Sequence, residues 1–386
     1  MLAAVQMRRT LILIGAVLVL AGPFVLGYRL STGSRATTPV AIPSVVDEVR
    51  SALAARYYRP VPDRVLRLDS IGQIISALRD PYTAYLAPPD YRLVRQETAS
   101  AYTGIGVSLL PSARGYEVVS LSPGPAARAG VRVGDTIVRI DGVAARRLSM
   151  SHALTRILGK PGTTVSLGLR RGTRSLELRI RRGLVHAPSV QARLLSYAGD
   201  RWGDVRLSGF RTGAAVVLGR EIRRLQHEGA RGFVLDLRQN PGGLLDEAVA
   251  VSSLFLARGV VVSLAARHEP REVFRAVGGV ATREPVVVLV DRFSASSAEI
   301  VAAALRDHHR ATLVGERTFG KALVQSIDPL HNGAALELTI ARYFTPSGSD
   351  ISNVGVAPQI HAVDEERTPD DEALAAALRV LARPVG

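Results

Sequence analysis

Cysteine is absent from the 386-residue chain, which excludes disulfides, thiolate catalysis, iron–sulfur clusters and zinc held on sulfur together. Lysine is nearly absent too. Of 49 basic residues only Lys160 and Lys321 are lysines, so arginine serves almost wherever a cation suffices. A lysine that survives such a bias marks a position where something arginine cannot do, such as giving up its proton, is worth looking for. Long runs of one charge are missing as well. The balance of 49 Lys+Arg against 34 Asp+Glu gives a formal charge of +15, yet arginines occur at most in pairs and alternate with acidic residues. That pattern argues against a nucleic-acid partner and suits an anionic membrane surface better. With 47% hydrophobic and 22% charged residues the chain is not low-complexity, and its length implies two or three domains, each with a core.

Residues 11–28 carry no charge and follow Arg8 and Arg9. The run is just long enough to cross roughly 30 Å of hydrocarbon. No clean A-x-A site follows, so residues 1–30 are expected to be an uncleaved signal anchor. The arginine pair favours a cytoplasmic N-terminus, so the protein is expected to be single-pass in the cell membrane with nearly all of the chain, its catalytic part included, extracytoplasmic. Residues 31–98 read as a linker and an N-terminal helical region broken by Pro60, Pro62, Pro81, Pro88 and Pro89. Within it DPYTAYL, residues 80–86, is expected to be a docking turn. Residues 99–184 form short β-rich runs interrupted by one helical stretch at 149–158. Strand and helix patterns alternate over residues 185–366, and residues 367–386 read as a C-terminal helix.

Three motifs carry chemistry. In YTGIGV, the backbone of Gly104, Ile105, Gly106 and Val107 can form an anion-binding nest for a peptide carboxylate, with the peptide adding as a strand alongside. In DLRQNPGG, Gly242 and Gly243 leave N–H donors able to approach an oxyanion, although the same turn could be only a tight connection. In FSASSAEI a serine sits at a strand-to-helix elbow, where Ser294, Ser296 and Ser297 could equally be helix caps. An activating base is needed. His308 and His309 fall at the far end of that helix, about 15 Å away for ten residues. Lys321 in GERTFGKALVQ is the alternative, because a desolvated lysine can act as a general base. Gln325, four residues on, falls on the same side and is placed to hold the amine by hydrogen bond.

Taken together, SASSAEI, GKALVQ, RQNPGG, DPYTAYL, the segment SPGPAARAGVRVGDTIVRIDGV and RYFTPSG followed by GVAP resemble the carboxyl-terminal processing proteases, serine–lysine peptidases with a PDZ domain. The resemblance covers about residues 45–360. It implies an α+β multidomain chain: a membrane anchor, a helical segment, a β-rich PDZ domain at 99–184 and an α/β crotonase-like peptidase domain at 185–366. It also implies Ser296 as nucleophile, Lys321 as general base, Gln325 as its orienting partner, and an oxyanion hole from Gly242 or Gly243 with Ser297. Two departures stand out. Ser297-Ala298 replaces the usual Ala-Ser, and Ala322 replaces the usual Gly.

The implied activity is a serine endopeptidase that binds unstructured, apolar C-terminal tails of proteins through its PDZ domain and cleaves near them. It needs no metal and no cofactor, has no nucleic-acid partner, and leaves room for an oligomer. A catalytically silent PDZ scaffold that only binds tails is the alternative. Acyl-CoA chemistry of the crotonase kind would leave the PDZ-like segment and the lone lysine unexplained.

Overall fold

A computed structural model describes residues 44–97, 101–186, 189–363 and 371–383. The expected anchor, residues 1–30, lies outside the described residues. Among those described, no helix is long and apolar enough to cross a membrane. The chain divides into two compact units, residues 86–188 and the remainder.

The larger unit is built on a six-stranded sheet. The hairpin Val190–Tyr197 and Asp200–Leu207 is antiparallel, and Phe233–Asp236, Val286–Val290, Ala311–Gly315 and Ile360–His361 then add in parallel. All five residues of Val286–Val290 are buried, as a parallel strand covered on both faces requires. Their side chains alternate between two cores. Val286, Val288 and Val290 pack in the core that also holds residues of Ala214–His227, Leu245–Ser253 and Ser297–Asp307, whereas Val287 and Leu289 pack with the C-terminal helix Glu372–Leu381. That last helix is capped by Asp371, whose Oδ1 accepts from Leu374 N–H at 2.8 Å.

A second sheet in this unit places Ala335–Phe344 between Leu323–Pro329 and Val260–Ala266. Leu336 and Leu338 turn one way, into a core with Val49, Leu53, Tyr57 and Ile74 from the helices Val45–Arg56 and Ile71–Leu78. The two-residue period of a strand sends Glu337 and Thr339 to the other face; Ile340 is an extra residue in the pairing with Leu323–Pro329, and beyond it Ala341 and Tyr343 pack in the main core.

The smaller unit has a sheet ordered Val107–Ser112, Gly115–Leu121, Thr136–Ile140, Thr164–Arg171, Arg174–Arg181, with the helix Met150–Ile157 burying Ala153 and Ile157 in its core. Ser149 caps that helix by accepting from His152 N–H. Pro88 and Pro89 do not break a helix as expected from the sequence. They open one, Pro88–Glu97, because the first turn needs no N–H from them.

Candidate active site

Two turns at the C-terminal ends of neighbouring parallel strands meet. After Phe233–Asp236 comes the glycine turn, and after Val286–Val290 comes the serine elbow; the strands are in register from Phe233↔Val286 to Asp236↔Leu289. Hydrogen bonds stitch the turns together: Ala295 N–H donates to Asn240 O at 2.9 Å, Ser294 Oγ to Leu237 O at 2.8 Å, and Ser297 Oγ to Gly243 O at 2.9 Å. Asn240 is itself anchored, with Nδ2 on Leu207 O at 2.7 Å. The departure at Ser297 therefore contributes a bond between the elbow and the glycine turn.

Ser296 occupies the N-cap of Ser297–Asp307 with φ 55° and ψ −116°, a conformation costly for any residue but glycine. It is 1% exposed, and its Oγ has no hydrogen-bond partner among the described residues. Gly242 lies directly against it. A Cβ on Gly242 would fall 2.9 Å from Ser296 Cβ and 3.0 Å from Ser297 N, and its φ of +103° disfavours any side chain. The two glycine amides differ in use: Gly242 N–H donates to Asn240 Oδ1 at 2.9 Å, while Gly243 N–H and Ser297 N–H make no hydrogen bond among the described residues.

Lys321 is 1% exposed. Its Nζ lies over the Tyr82 ring, 4.8 Å from the centroid, so the segment expected to be a docking turn lines this pocket. Burial pulls the Lys321 ammonium down to about 8, against the pull of the carboxylates of Glu337, Asp80 and Glu299. Arginine could not be shifted into that range. Ala322, where the family pattern has glycine, adopts no left-handed conformation, and its carbonyl accepts Tyr343 N–H at 3.0 Å.

Glu299 holds the two halves together. Its Oε2 accepts Ser296 N–H at 2.8 Å and Lys321 N–H at 2.9 Å, and its Oε1 accepts Gly320 N–H at 2.7 Å and Thr318 Oγ1–H at 2.5 Å. Burial pushes this carboxyl up, and the four donated hydrogen bonds oppose that push. On the far side of the pocket, Asp80 Oδ2 accepts from Thr83 Oγ1 at 2.7 Å, Thr339 Oγ1 at 2.8 Å and Tyr57 OH at 3.1 Å.

Gln325 stands opposite Thr339 and its Nε2 reaches Thr339 Oγ1 at 3.4 Å, but its Oε1 accepts no hydrogen bond among the described residues, the Lys321 amine included. Lys321 precedes the strand Leu323–Pro329, so the alternation on which the expected contact rested does not run through both residues. His308 lies away from this cluster, with Nε2 on Val260 O at 2.7 Å.

Sequence reasoning missed Glu299, Asp80, Tyr82 and Glu337. Glu299 had a local signal, since an acid three residues after a capping serine reaches back to its backbone. The others come together only in three dimensions.

In the smaller unit, Ile105 is fully buried and its carbonyl accepts Ala126 N–H at 2.8 Å, while Gly106 has φ +84° and its carbonyl accepts Ser122 N–H at 3.0 Å. Ile105 and Gly106 N–H make no hydrogen bond among the described residues. Gly104 is fixed by packing, since a Cβ there would fall 2.9 Å from Leu158. Val107 begins a strand that pairs on one side only among the described residues, the geometry strand addition requires.

Comparison with known proteins adds the rest. Peptidase family S41 matches residues 201–362, and the PDZ domain matches residues 117–171. A carboxyl-terminal-processing protease of a Picosynechococcus species is 36% identical over 305 residues, covering 78% of this chain and 74% of that protein. Its counterpart in a Synechocystis species is 38% identical over 306 residues, covering 78% and 72%. Among solved structures, the photosystem II D1 C-terminal processing protease covers 88% of this chain and 97% of its own, at 30% identity and a TM-score of 0.57.

Proposed function

The chain belongs to the S41 family of carboxyl-terminal-processing proteases and is a serine-type peptidase with a PDZ domain, and on that premise we propose that Ser296 and Lys321 are its nucleophile and general base. The observation that carries this reading is the single carboxylate oxygen, Glu299 Oε2, that holds both residues by their backbones. Ser296 Oγ attacks the scissile carbonyl carbon while its proton passes to neutral Lys321 Nζ. The oxygen that becomes negative is received by the N–H groups of Gly243 and Ser297, with Gly242 supplying the clearance for its approach rather than a free donor. Collapse of the tetrahedral intermediate breaks the C–N bond, and Lys321 returns its proton to the departing amine. Water, deprotonated by the same amine, then releases the acyl group. Gln325 shapes the pocket through Thr339.

The substrate reading is a protein with an unstructured apolar C-terminal tail, whose carboxylate meets the amides of Ile105 and Gly106 while the tail adds as a strand beside Val107. The charge pattern around residues 11–28 supports a single-pass anchor with the catalytic part extracytoplasmic. The test is acylation itself. A serine-directed inhibitor should leave its adduct on Ser296, located by mass spectrometry, in the wild type but not in Lys321→Arg. Labelling of Lys321→Arg at the wild-type rate would remove Lys321 as base. A reporter active only outside the cytoplasm, fused after Gly386, should be active; a silent but intact fusion would reverse the topology.

A further inference from the structure

Glu337 is fully buried, and neither of its carboxylate oxygens has a hydrogen-bond partner among the described residues. A buried carboxyl left in that state is costly and is retained for a reason other than stability. On the strand Ala335–Phe344, Glu337 lies two residues before Thr339 and so shares its face, and Thr339 Oγ1 bonds Asp80 and Gln325 at the edge of the Lys321 pocket. Among the carboxyls that act on Lys321, Glu337 pulls hardest, ahead of Asp80 and Glu299. It also differs from those two in its partners. Asp80 is occupied by Thr83, Thr339 and Tyr57, and Glu299 by four donors, so both are fixed scaffolding.

We propose that Glu337 is a positioning residue for Lys321, the buried counter-charge that governs when the amine is available as a base. This rests on the reading of Lys321 as the general base. An ionised Glu337 stabilises the ammonium and keeps the base loaded; a neutral Glu337 lets it unload. Burial raises the Glu337 carboxyl, so its charge changes in the same range as that of Lys321, and the two titrate as a pair. The other titratable groups around them are Asp80, Tyr82 and Tyr57 beside the helical segment, Glu299 on the nucleophile helix and Tyr343 on the strand. The phenols of Tyr57, Tyr82 and Tyr343 are all raised, chiefly by burial, and stay neutral through this range.

Because the chain has only two lysines, the test is direct. Full-length protein carrying 13Cε-lysine gives two signals, assigned with Lys160→Arg, and Lys160 serves as the internal reference. In the wild type the Lys321 curve should be broadened into two steps relative to Lys160. In Glu337→Gln it should become a single step whose midpoint lies lower by about one pH unit or more, the shift expected when a nearby opposite charge is removed. Glu337→Met should behave like Glu337→Gln, and Glu337→Asp, which keeps the charge, like the wild type. A one-step wild-type curve, or an unchanged midpoint in Glu337→Gln, overturns the proposal. So does an equal shift in Glu337→Asp, which would point to packing alone. The acid limb of Ser296 acylation should move with the lysine signal. If the signal moves and the limb does not, the coupling of Glu337 to Lys321 stands and the role of Lys321 as base falls.

Discussion

Ser296 and Lys321 donate their backbone N–H groups to one carboxylate oxygen, Glu299 Oε2, at 2.8 and 2.9 Å. The proposed nucleophile and base are twenty-five positions apart in sequence, yet both backbones are held by a single atom. Glu299→Gln keeps the shape but replaces one acceptor oxygen with a donor, so at least two of the four donors lose their partner. We expect stability to fall by about 2–4 kcal/mol, from buried donors left unmade, and acylation to fall by about 10²-fold from misplacement alone. Denaturation midpoints and single-turnover acylation measure the two effects separately. An undiminished acylation rate in a destabilised variant would show that Glu299 supports the fold and not the geometry.

The lysine at about 8 sets the direction of the pH dependence. Only the neutral amine accepts the proton of Ser296, so acylation should rise about tenfold per pH unit below that value and level off above it. Lys321→Arg should be inactive throughout. A rate independent of pH between 6 and 9 would mean that some other group takes the proton.

Gly242→Ala tests the approach to the oxyanion. The added methyl meets Ala295 O and Ser296 Cβ at 2.9 Å on a backbone at φ +103°. We expect kcat to drop by about 10²- to 10³-fold, the loss typical of a disabled oxyanion site. Peptide-tail binding should be unchanged, as read by titration with a fluorescent tail peptide.

Much of this site was legible because it is local. A strand, a glycine or serine turn and a helix follow one another in sequence twice, but the strand pairing that puts Gly242 beside Ser296 joins distant segments and was implied only by the family resemblance. The rarity of lysine singled out Lys321. The pocket around that lysine was not legible, for reasons that differ residue by residue. Asp80 and Tyr82 reach it from a segment about 240 positions away. Glu337 and Thr339 alternate with Leu336 and Leu338, a pattern that ordinarily means one face in water. Here the second face is covered, so polar residues that looked exposed are buried. Gln325 was expected on the Lys321 side in either helix or strand, but Lys321 lies before the strand Leu323–Pro329, so neither period relates the two residues.

Gly106→Ala addresses tail recognition. Its φ of +84° strains any side chain, and the added Cβ would lie 3.3 Å from Ser122 O and from Val185 Cγ1. Cleavage of a substrate with an apolar tail should fall by an order of magnitude or more, chiefly through KM, while cleavage of a short generic peptide stays near wild type. Equal losses on both substrates would place tail recognition elsewhere.

The buried pair also leaves a mark on stability. Lys321 is held below its unfolded value of 10.5, so the unfolded chain binds more protons between about pH 8 and 10.5, and stability rises with pH across that window. Glu337 is raised from 4.5 to about 8, so the folded chain binds more protons between those values, and its contribution is lost as pH rises from 4.5 to about 8. The two slopes have opposite sign and meet near pH 8, where the pair costs the fold most. Replacing both, Lys321→Met with Glu337→Gln, should therefore stabilise the protein by about 1–4 kcal/mol. The gain should be largest near pH 8 and shrink towards pH 5 and pH 10. Denaturation midpoints of the two proteins compared at these three pH values measure it. A gain that does not vary with pH would assign the effect to packing, and a loss near pH 8 would mean that the two charges stabilise the fold they are buried in.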